Sequence, residues 1–515
     1  MTLSGSTHPL IGDNRSLKNP EPCILVIFGV TGDLTARKLI PALYNLARDG
    51  LLPPHFACVG FARRDKNHES FRDEMLEAVE KYSRSKPLDP ELWKSFREKL
   101  FYHRAEFHED EGYTSLAQFL NHLDAQIGAK GNRVFYLSTQ PSFFSLIIQK
   151  LGTHGLLDEK SQNQDKWSRV IIEKPFGEDL NSALKLQEEI RHYLNENQIY
   201  RIDHYLGKET VQNLFVFRFS NPIFESIWNN HYIDNIQLTV SEEIGIGTRG
   251  RFFEEAGILR DIVQNHMMQL LSLVAMEPPT SLKADAIRDE KVKVLESIRP
   301  IPTDQVDHYA VRGQYAPGFI YGEKVKGYRE EENVDPKSNV ETYAALQLFI
   351  DNWRWAGVPF YLRAGKRLPK RVTEIAIIFK KVPSFLFHQD TQSIESNVLV
   401  IRIQPDEGIS LKMNCKVPAL NHVIQPVKMD FRYGSYFGST RPEAYERLIC
   451  DCMTGDNTLF ARDDEVIASW KLMTPILEHW QNTPPLDFPN YAAGTWGPEA
   501  AELLLKRQER HWRLI

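Results

Sequence analysis

No stretch of this 515-residue chain approaches the roughly 18 consecutive apolar residues that a membrane span requires, so no membrane-embedded protein is expected. Basic residues are not in excess. Sixty-two Lys and Arg stand against 68 Asp and Glu, a net charge of −6, which leaves no cationic surface to hold a nucleic-acid backbone. Cysteine is scarce, and the five present (Cys23, Cys58, Cys415, Cys450 and Cys452) are odd in number and scattered. They read as reduced thiols of a cytoplasmic protein, and Cys450-Asp451-Cys452 lacks the second pair a zinc site needs, so no metal is expected. Met1 to Pro20 also lacks an apolar run; it has neither a signal-peptide nor a transit-peptide pattern, and residues 1–20 are expected to be a disordered lead-in. What is present is a globular composition, 42% hydrophobic and 25% charged, on a chain too long for one core. Two large domains are expected, over 21–200 and 201–515.

The first of these reads as a doubly wound α/β domain. Cys23–Phe28 is a continuous apolar run, the pattern of a strand buried on both faces. It passes into Gly29-Val30-Thr31-Gly32-Asp33-Leu34, then into a helical pattern through Leu39, Leu43, Leu46 and Ala47, and a second strand follows at Phe56–Phe61. A glycine turn between strand and helix suits a pyrophosphate, because backbone N–H groups and the positive end of the helix dipole meet the anion there. The second strand ends at Arg63-Arg64, where an NAD-binding fold usually has an acid for the ribose hydroxyl. A guanidinium binds a 2′-phosphate that a carboxylate would repel, so NADP+ is favoured over NAD+. Helical patterns at Phe71–Tyr82, Leu92–Leu100 and Tyr113–Ile127 then alternate with strands at Val134–Leu137 and Val170–Ile172. The last strand empties into Glu173-Lys174-Pro175-Phe176-Gly177, which puts Lys174 at the carboxyl end of a parallel strand, where such sheets bind ligands. A helix is expected from Asp179 to about Asn195.

In the second domain, beyond Lys208, the patterning changes to period two, at Ile233–Val240, Glu374–Phe379, Val398–Ile403, Ile409–Val417 and Val427–Tyr433. A larger α+β domain is expected, with a mainly antiparallel sheet backed by helices. Its first residues, Arg201-Ile202-Asp203-His204-Tyr205-Leu206-Gly207-Lys208-Glu209, gather hydrogen-bonding groups that suit a bound phosphate; alternatively they form a charged loop entering a strand at Asn213–Phe219. The segment Glu254–Leu271 is apolar around most of a helix yet carries Arg260, Asp261, Gln264, Asn265, His266 and Gln269, each of which needs a partner when buried. In an α-helix Asp261 and His266 lie about 140° apart, so a carboxylate orienting His266 is expected from another segment, with Asp203 the leading candidate. A basic run, Arg363 to Arg371, follows the apolar Val358–Leu362 and offers a second contribution to an anion site, or a solvated turn.

Five motifs carry a resemblance. GVTGDLTARKL (29–39), EKPFG (173–177), RIDHYLGKE (201–209), RDIVQNHMMQ (260–269) and VPFYLRAGK (358–366) are similar, in order and spacing, to those of the glucose-6-phosphate dehydrogenase family, from about residue 21 onward. The resemblance implies oxidation of β-D-glucose 6-phosphate at C1 to 6-phosphoglucono-1,5-lactone with NADP+ as hydride acceptor, the entry to the oxidative pentose phosphate pathway. It implies His266 as general base and Asp203 as the carboxylate orienting it. His204, Tyr205 and Lys208 match the phosphate cradle and Lys366 a further basic contact; Lys174, Glu242 and Asp261 match groups that hold the sugar. Gly29, Gly32, Asp33 and Leu34 match the coenzyme turn, Arg63 the 2′-phosphate ligand and Lys38 a coenzyme-side lysine near the reacting centre, with Lys174 a coenzyme contact as well. The family also implies a homodimer or a dimer of dimers.

Some members hold a second, structural NADP+. Arg363 and Arg402 are compatible with that site, but Val372, Ala376 and Ser410 are not its expected ligands, so the second site is expected to be absent. The rival reading is a sugar oxidoreductase of the glucose–fructose oxidoreductase type, which shares the Glu-Lys-Pro motif but needs no phosphate cradle.

Overall fold

The computed structural model describes residues 20–157, 166–382, 394–418, 423–438 and 442–515; apart from Pro20, the expected lead-in lies outside them. The chain forms two compact units, and the division is not a single cut. Residues 175–187 belong with the second unit, whereas 442–460 return to the first.

The first unit is built on strands β1 (Cys23–Phe28), β2 (Phe56–Ala62), β3 (Leu100–Arg104), β4 (Arg133–Leu137), β5 (Ser168–Ile172) and β6 (Ile199–Ile202). They pair in parallel in the order β6-β5-β4-β1-β2-β3, with Phe460, which opens a two-residue strand, beyond β6. This is the doubly wound Rossmann order, whose crevice opens where the winding reverses, between β1 and β4. Every residue of β1 and β2 is buried, which explains their uninterrupted apolar character. The unit's helices include Ile40–Arg48, His68–Tyr82, Pro90–Arg97, Asp110–Ile127 and Phe144–Thr153, whereas Leu180–Arg191 is divided between the two units. The helical pattern read as far as Leu100 stops at Arg97, and Leu100 opens β3 instead.

The second unit carries β7 (Ile233–Ser241), β8 (Ala310–Gly313), β9 (Tyr343–Phe349), β10 (Pro359–Gly365), β11 (Val372–Phe379), β12 (Val398–Gln404), β13 (Gly408–Lys416) and β14 (Ile424–Arg432). Their order is β14-β13-β12-β11-β7-β10-β9-β8, and every neighbouring pair except β7–β10 is antiparallel. The sheet is therefore mainly antiparallel, as its alternation implied.

A further local expectation fails. Asn213–Phe219 is not a strand but part of a helix, Glu209–Phe219. Its buried residues, Thr210, Val211, Leu214, Phe217 and Arg218, recur at helical spacing, although the β-branched and aromatic composition suggests a strand. The charged stretch therefore leaves a strand, β6, and enters a helix. Among the described residues, no helix is long and apolar enough to cross a membrane.

Candidate active site

In the first unit, Gly29 leaves β1 with φ +77, and a Cβ there would lie 2.3 Å from the carbonyl oxygen of Ser138, just beyond β4. Only glycine allows the two backbones to approach this closely at the point where the sheet reverses. Gly32 N–H bonds Gly29 O at 2.9 Å, which closes the turn with Gly32 and Asp33 exposed and Leu34 half-buried. The helix that follows begins as a π-helix, Thr35–Leu39, before continuing as Ile40–Arg48. Pro41 has no N–H to bond back to Arg37, so the tighter α-helical turn is not supported there. Asp33 pairs with Arg37 at 2.7 Å, and Lys38 Nζ with Glu443 at 2.7 Å. Arg63 and Arg64 are exposed just past β2, and the Tyr102 hydroxyl donates to Arg64 O at 2.6 Å, which fixes that turn. A tight glycine turn and a pair of exposed guanidinium groups fit a dinucleotide bearing an extra phosphate.

In the second unit, the polar helix is three segments. Gly250–Ile258 breaks at Gly257, where φ is +62, and Leu259–Met267 then winds as a π-helix before Met268–Ala275 resumes the α form. The i→i+5 bonding of a π-helix brings residues five apart towards one face, so the expected 140° between Asp261 and His266 does not describe this turn. Asn265 supports the widened turn: its Nδ2 donates to Arg260 O at 2.9 Å, and its Oδ1 accepts from His266 N–H at 2.6 Å. Two of the other polar side chains also find partners. Arg260 donates to Glu178 O and Gln269 Nε2 to Glu465, whereas the bond at Gln264 is to its backbone carbonyl, which accepts from the Ser469 hydroxyl, and Gln269 Oε1 has no partner among the described residues.

His266 is 1% exposed, and its Nδ1 lies 2.6 Å from Oδ1 of Asp203, which is itself buried just past β6. Burial alone would raise the Asp203 pKa. The charge and hydrogen bond of His266, with His204 and the Tyr205 N–H, outweigh it and hold the carboxyl below its usual range. The Tyr205 ring stacks on the His266 ring with centroids 4.3 Å apart, and the His204 ring meets it edge-on at 4.6 Å. Donor atoms of Asp203, His204 and His266 fall within 4.8 Å of one another, the spacing of a metal-ligand set. The pairing of Asp203 with Nδ1, however, is what orients an imidazole as a base.

Two polar clusters adjoin this dyad. Lys208 Nζ lies 5.0 Å from the Tyr205 ring centroid and donates to Gln404 Oε1 at 2.6 Å; Gln404 in turn donates to Thr373, which pairs with the Tyr205 hydroxyl. Lys366, almost wholly buried, pairs with Glu242 and lies 3.6 Å from Asp261. The turn carrying Lys366 is held by Tyr491, whose hydroxyl donates to Lys366 O at 2.8 Å. His204, Tyr205, Lys208, Glu242, Asp261 and Lys366 therefore stand with the dyad in the second unit. Gly29, Gly32, Asp33, Leu34, Lys38, Arg63 and Lys174 belong to the first. Arg201 is structural, forked onto Glu196 by two hydrogen bonds at 2.5 and 3.1 Å.

Sequence reasoning missed Gln404, Thr373 and Asn265. The first two sit on sheet strands where nothing in the alternation marks them. Asn265 was visible as a polar residue beside His266, but its bond back to Arg260 O depends on a π-turn that periodicity does not reveal.

A Rossmann unit together with a sheet unit bearing a buried imidazole–carboxylate pair defines a two-unit dehydrogenase. The chain belongs to the glucose-6-phosphate dehydrogenase family: that family's NAD binding domain matches residues 26–213, and its C-terminal domain matches 215–513. It is 59% identical over 507 residues to the glucose-6-phosphate 1-dehydrogenase of Chlamydia pneumoniae, covering 98% of each chain. To that of Chlamydia muridarum it is 57% identical over 495 residues, covering 96% of this chain and 97% of the other. A solved structure described as glucose-6-phosphate dehydrogenase in complex with its substrate glucose-6-phosphate matches with a TM-score of 0.86 at 37% identity, covering 96% of this chain and 99% of that one.

Proposed function

We propose that the enzyme oxidises β-D-glucose 6-phosphate at C1 to 6-phospho-D-glucono-1,5-lactone with NADP+ as acceptor, the first step of the oxidative pentose phosphate pathway. The observation that carries this reading is the buried pair of His266 Nδ1 and Asp203 Oδ1 at 2.6 Å. An ionised Asp203 favours the tautomer with hydrogen on Nδ1, which makes Nε2 the acceptor nitrogen. His266 then takes the proton of the C1 hydroxyl, and Asp203 stabilises the imidazolium that forms. When bound, NADP+ supplies the hydride acceptor for C1. His204, Tyr205 and Lys208 hold the sugar phosphate, with Gln404 orienting the lysine, and Lys366 adds a further basic contact. Lys174, Glu242 and Asp261 bind sugar hydroxyls. Gly29, Gly32, Asp33, Leu34, Lys38 and Lys174 hold the coenzyme, and Arg63 its 2′-phosphate.

The same reading makes the protein a cytoplasmic homodimer, or a dimer of dimers. Support comes from the second sheet's edge strand among the described residues, where Val427 and Met429 of β14, and Tyr436 and Phe437 just beyond it, are exposed apolar residues in one short stretch. It also leaves the chain with one NADP+ site. Arg363 is enclosed between the rings of Trp496 and Trp512, and Arg402 is paired with Asp430, which supports a tail that fills its own groove.

The deciding experiment follows NADP+ reduction by near-ultraviolet absorbance with glucose and glucose 6-phosphate side by side. Turnover of the phosphorylated sugar at concentrations where glucose is inert is expected. Equal turnover of both would favour the glucose–fructose oxidoreductase type, which needs no phosphate cradle.

A further inference from the structure

Among the enclosed acids that the mechanism leaves unused is Glu173, the first residue of the Glu-Lys-Pro motif. It lies just past the carboxyl end of β5 and precedes Lys174 directly. As a residue it is half-buried, but its carboxyl group turns inward. Oε1 accepts from the Tyr136 hydroxyl of β4 at 2.6 Å, and the carboxylate also accepts from the Tyr445 hydroxyl and from the backbone N–H of Lys174. Burial lifts the Glu173 pKa above its usual range, against the opposing pull of those bonds and of the Lys174 charge. Burial, with the neighbouring Glu173 charge, also pushes the Tyr136 phenol well up, so it acts as a donor.

An acid in that position costs stability unless its bonds are all made. Pro175 then limits the backbone on the far side of Lys174. The lysine is thus gripped on one side by a three-donor carboxylate and on the other by a ring that restricts rotation. Tyr445 comes from the helix Ala444–Thr454, whose neighbouring residues also reach into this unit. Glu443 pairs with Lys38 at 2.7 Å, and Glu446 accepts from Asn45 at 2.9 Å and from Arg84 at 2.7 Å. Residues 442–460, which return to the first unit, thus carry contacts to both Lys38 and Glu173.

We propose that Glu173 is a positioning residue for Lys174, clamped by the hydroxyls of Tyr136 and Tyr445. The proposal rests on the reading of Lys174 as a sugar and coenzyme contact. Its test is a double-mutant cycle on the full-length enzyme, in which kcat, KM for glucose 6-phosphate and melting temperature are measured for Glu173→Gln, Lys174→Ala and the double variant. A Gln keeps the shape but brings an NH2 group among donors. Glu173→Gln should lower kcat/KM by about tenfold to 10²-fold, as a displaced contact does, and should cost less than about twofold once Lys174 is already Ala. An equal cost in both backgrounds would overturn the proposal, because Glu173 would then act independently of Lys174. If Lys174→Ala alone left kcat/KM unchanged, the reading of Lys174 would fall and the proposal with it, a result distinguishable from the first. Tyr445→Phe removes one donor without touching the acid and serves if Glu173→Gln does not fold. It should lower kcat/KM severalfold, in a manner that also vanishes in the Lys174→Ala background; persistence of the loss there would count against the clamp.

Discussion

Asp203 Oδ1 and His266 Nδ1 lie 2.6 Å apart although 63 positions separate them in the chain, one just past β6 and the other on a π-helix. Both are almost wholly buried, so the pair is shielded from competing water. Replacing His266 with Asn removes the base but keeps a polar group of similar size. The expected loss in kcat is roughly 10²–10⁴-fold, with little change in KM for glucose 6-phosphate. Initial rates over a substrate series check this, and a change confined to KM would make His266 a binding residue.

Asp203→Asn separates orientation from charge. The amide turns an N–H towards Nδ1 or offers only a neutral oxygen, so the tautomer that presents Nε2 as acceptor is no longer favoured. The loss in kcat should approach that of His266→Asn, and the double variant should be little worse than either, because the two act as one unit. Additive losses would mean that they act separately.

How far the sequence goes is visible in these two residues. The α-helical spacing that separates Asp261 from His266 does not hold, since Leu259–Met267 is a π-helix; it leaves Asp203 only a leading candidate, and the orienting role is what the family resemblance implies. The bond between Asp203 and His266 joins residues 63 positions apart, which a linear motif registers only as the proximity of Asp203 to His204 and Lys208. The Rossmann half was legible because buried parallel strands are written as continuous apolar runs. The helix Glu209–Phe219 was not, because a helix buried among aromatics has a strand's composition. The return of 442–460 to the first unit left no trace in composition either, since a short helix looks the same in whichever unit it packs.

Arg63 offers a test of coenzyme choice. It is exposed just past β2. Arg63→Ala should weaken NADP+ binding by about 1–3 kcal/mol, the scale of a lost charge-assisted hydrogen bond, and leave NAD+ affinity nearly unchanged. Titrations with both coenzymes decide it; equal losses would remove Arg63 from the phosphate site.

Gly257 is where the helix breaks before the π-turn. With φ +62, and a Cβ position 2.3 Å from Glu341 Oε1, Gly257→Ala is strained both by backbone and by contact. It should destabilise the protein by about 1–3 kcal/mol and, by shifting the start of the segment bearing Asp261 and His266, lower kcat as well. Chemical denaturation and initial rates together check it. A stable variant with normal kcat would show that the break is incidental to the site.

The acid beneath that break gives the protein a pH dependence of its own. Glu341 accepts the Leu259 N–H at 3.2 Å, and burial raises its pKa despite the hydrogen bonds and the charges of Arg260 and Arg312. For an acid whose folded pKa lies above its unfolded value of about 4.3, the native state binds more protons between the two values. Stability therefore falls as pH rises through that window and levels off above the folded pKa. Glu341→Gln keeps an oxygen for Leu259 and has no charge to bury, so it is free of this loss. Its melting temperature, relative to wild type, should climb as pH is raised from about 4 and then hold steady. A difference that stayed flat across the whole range would mean that Glu341 is not buried as an acid, and that the π-turn is capped by a group already in its ordinary ionised state.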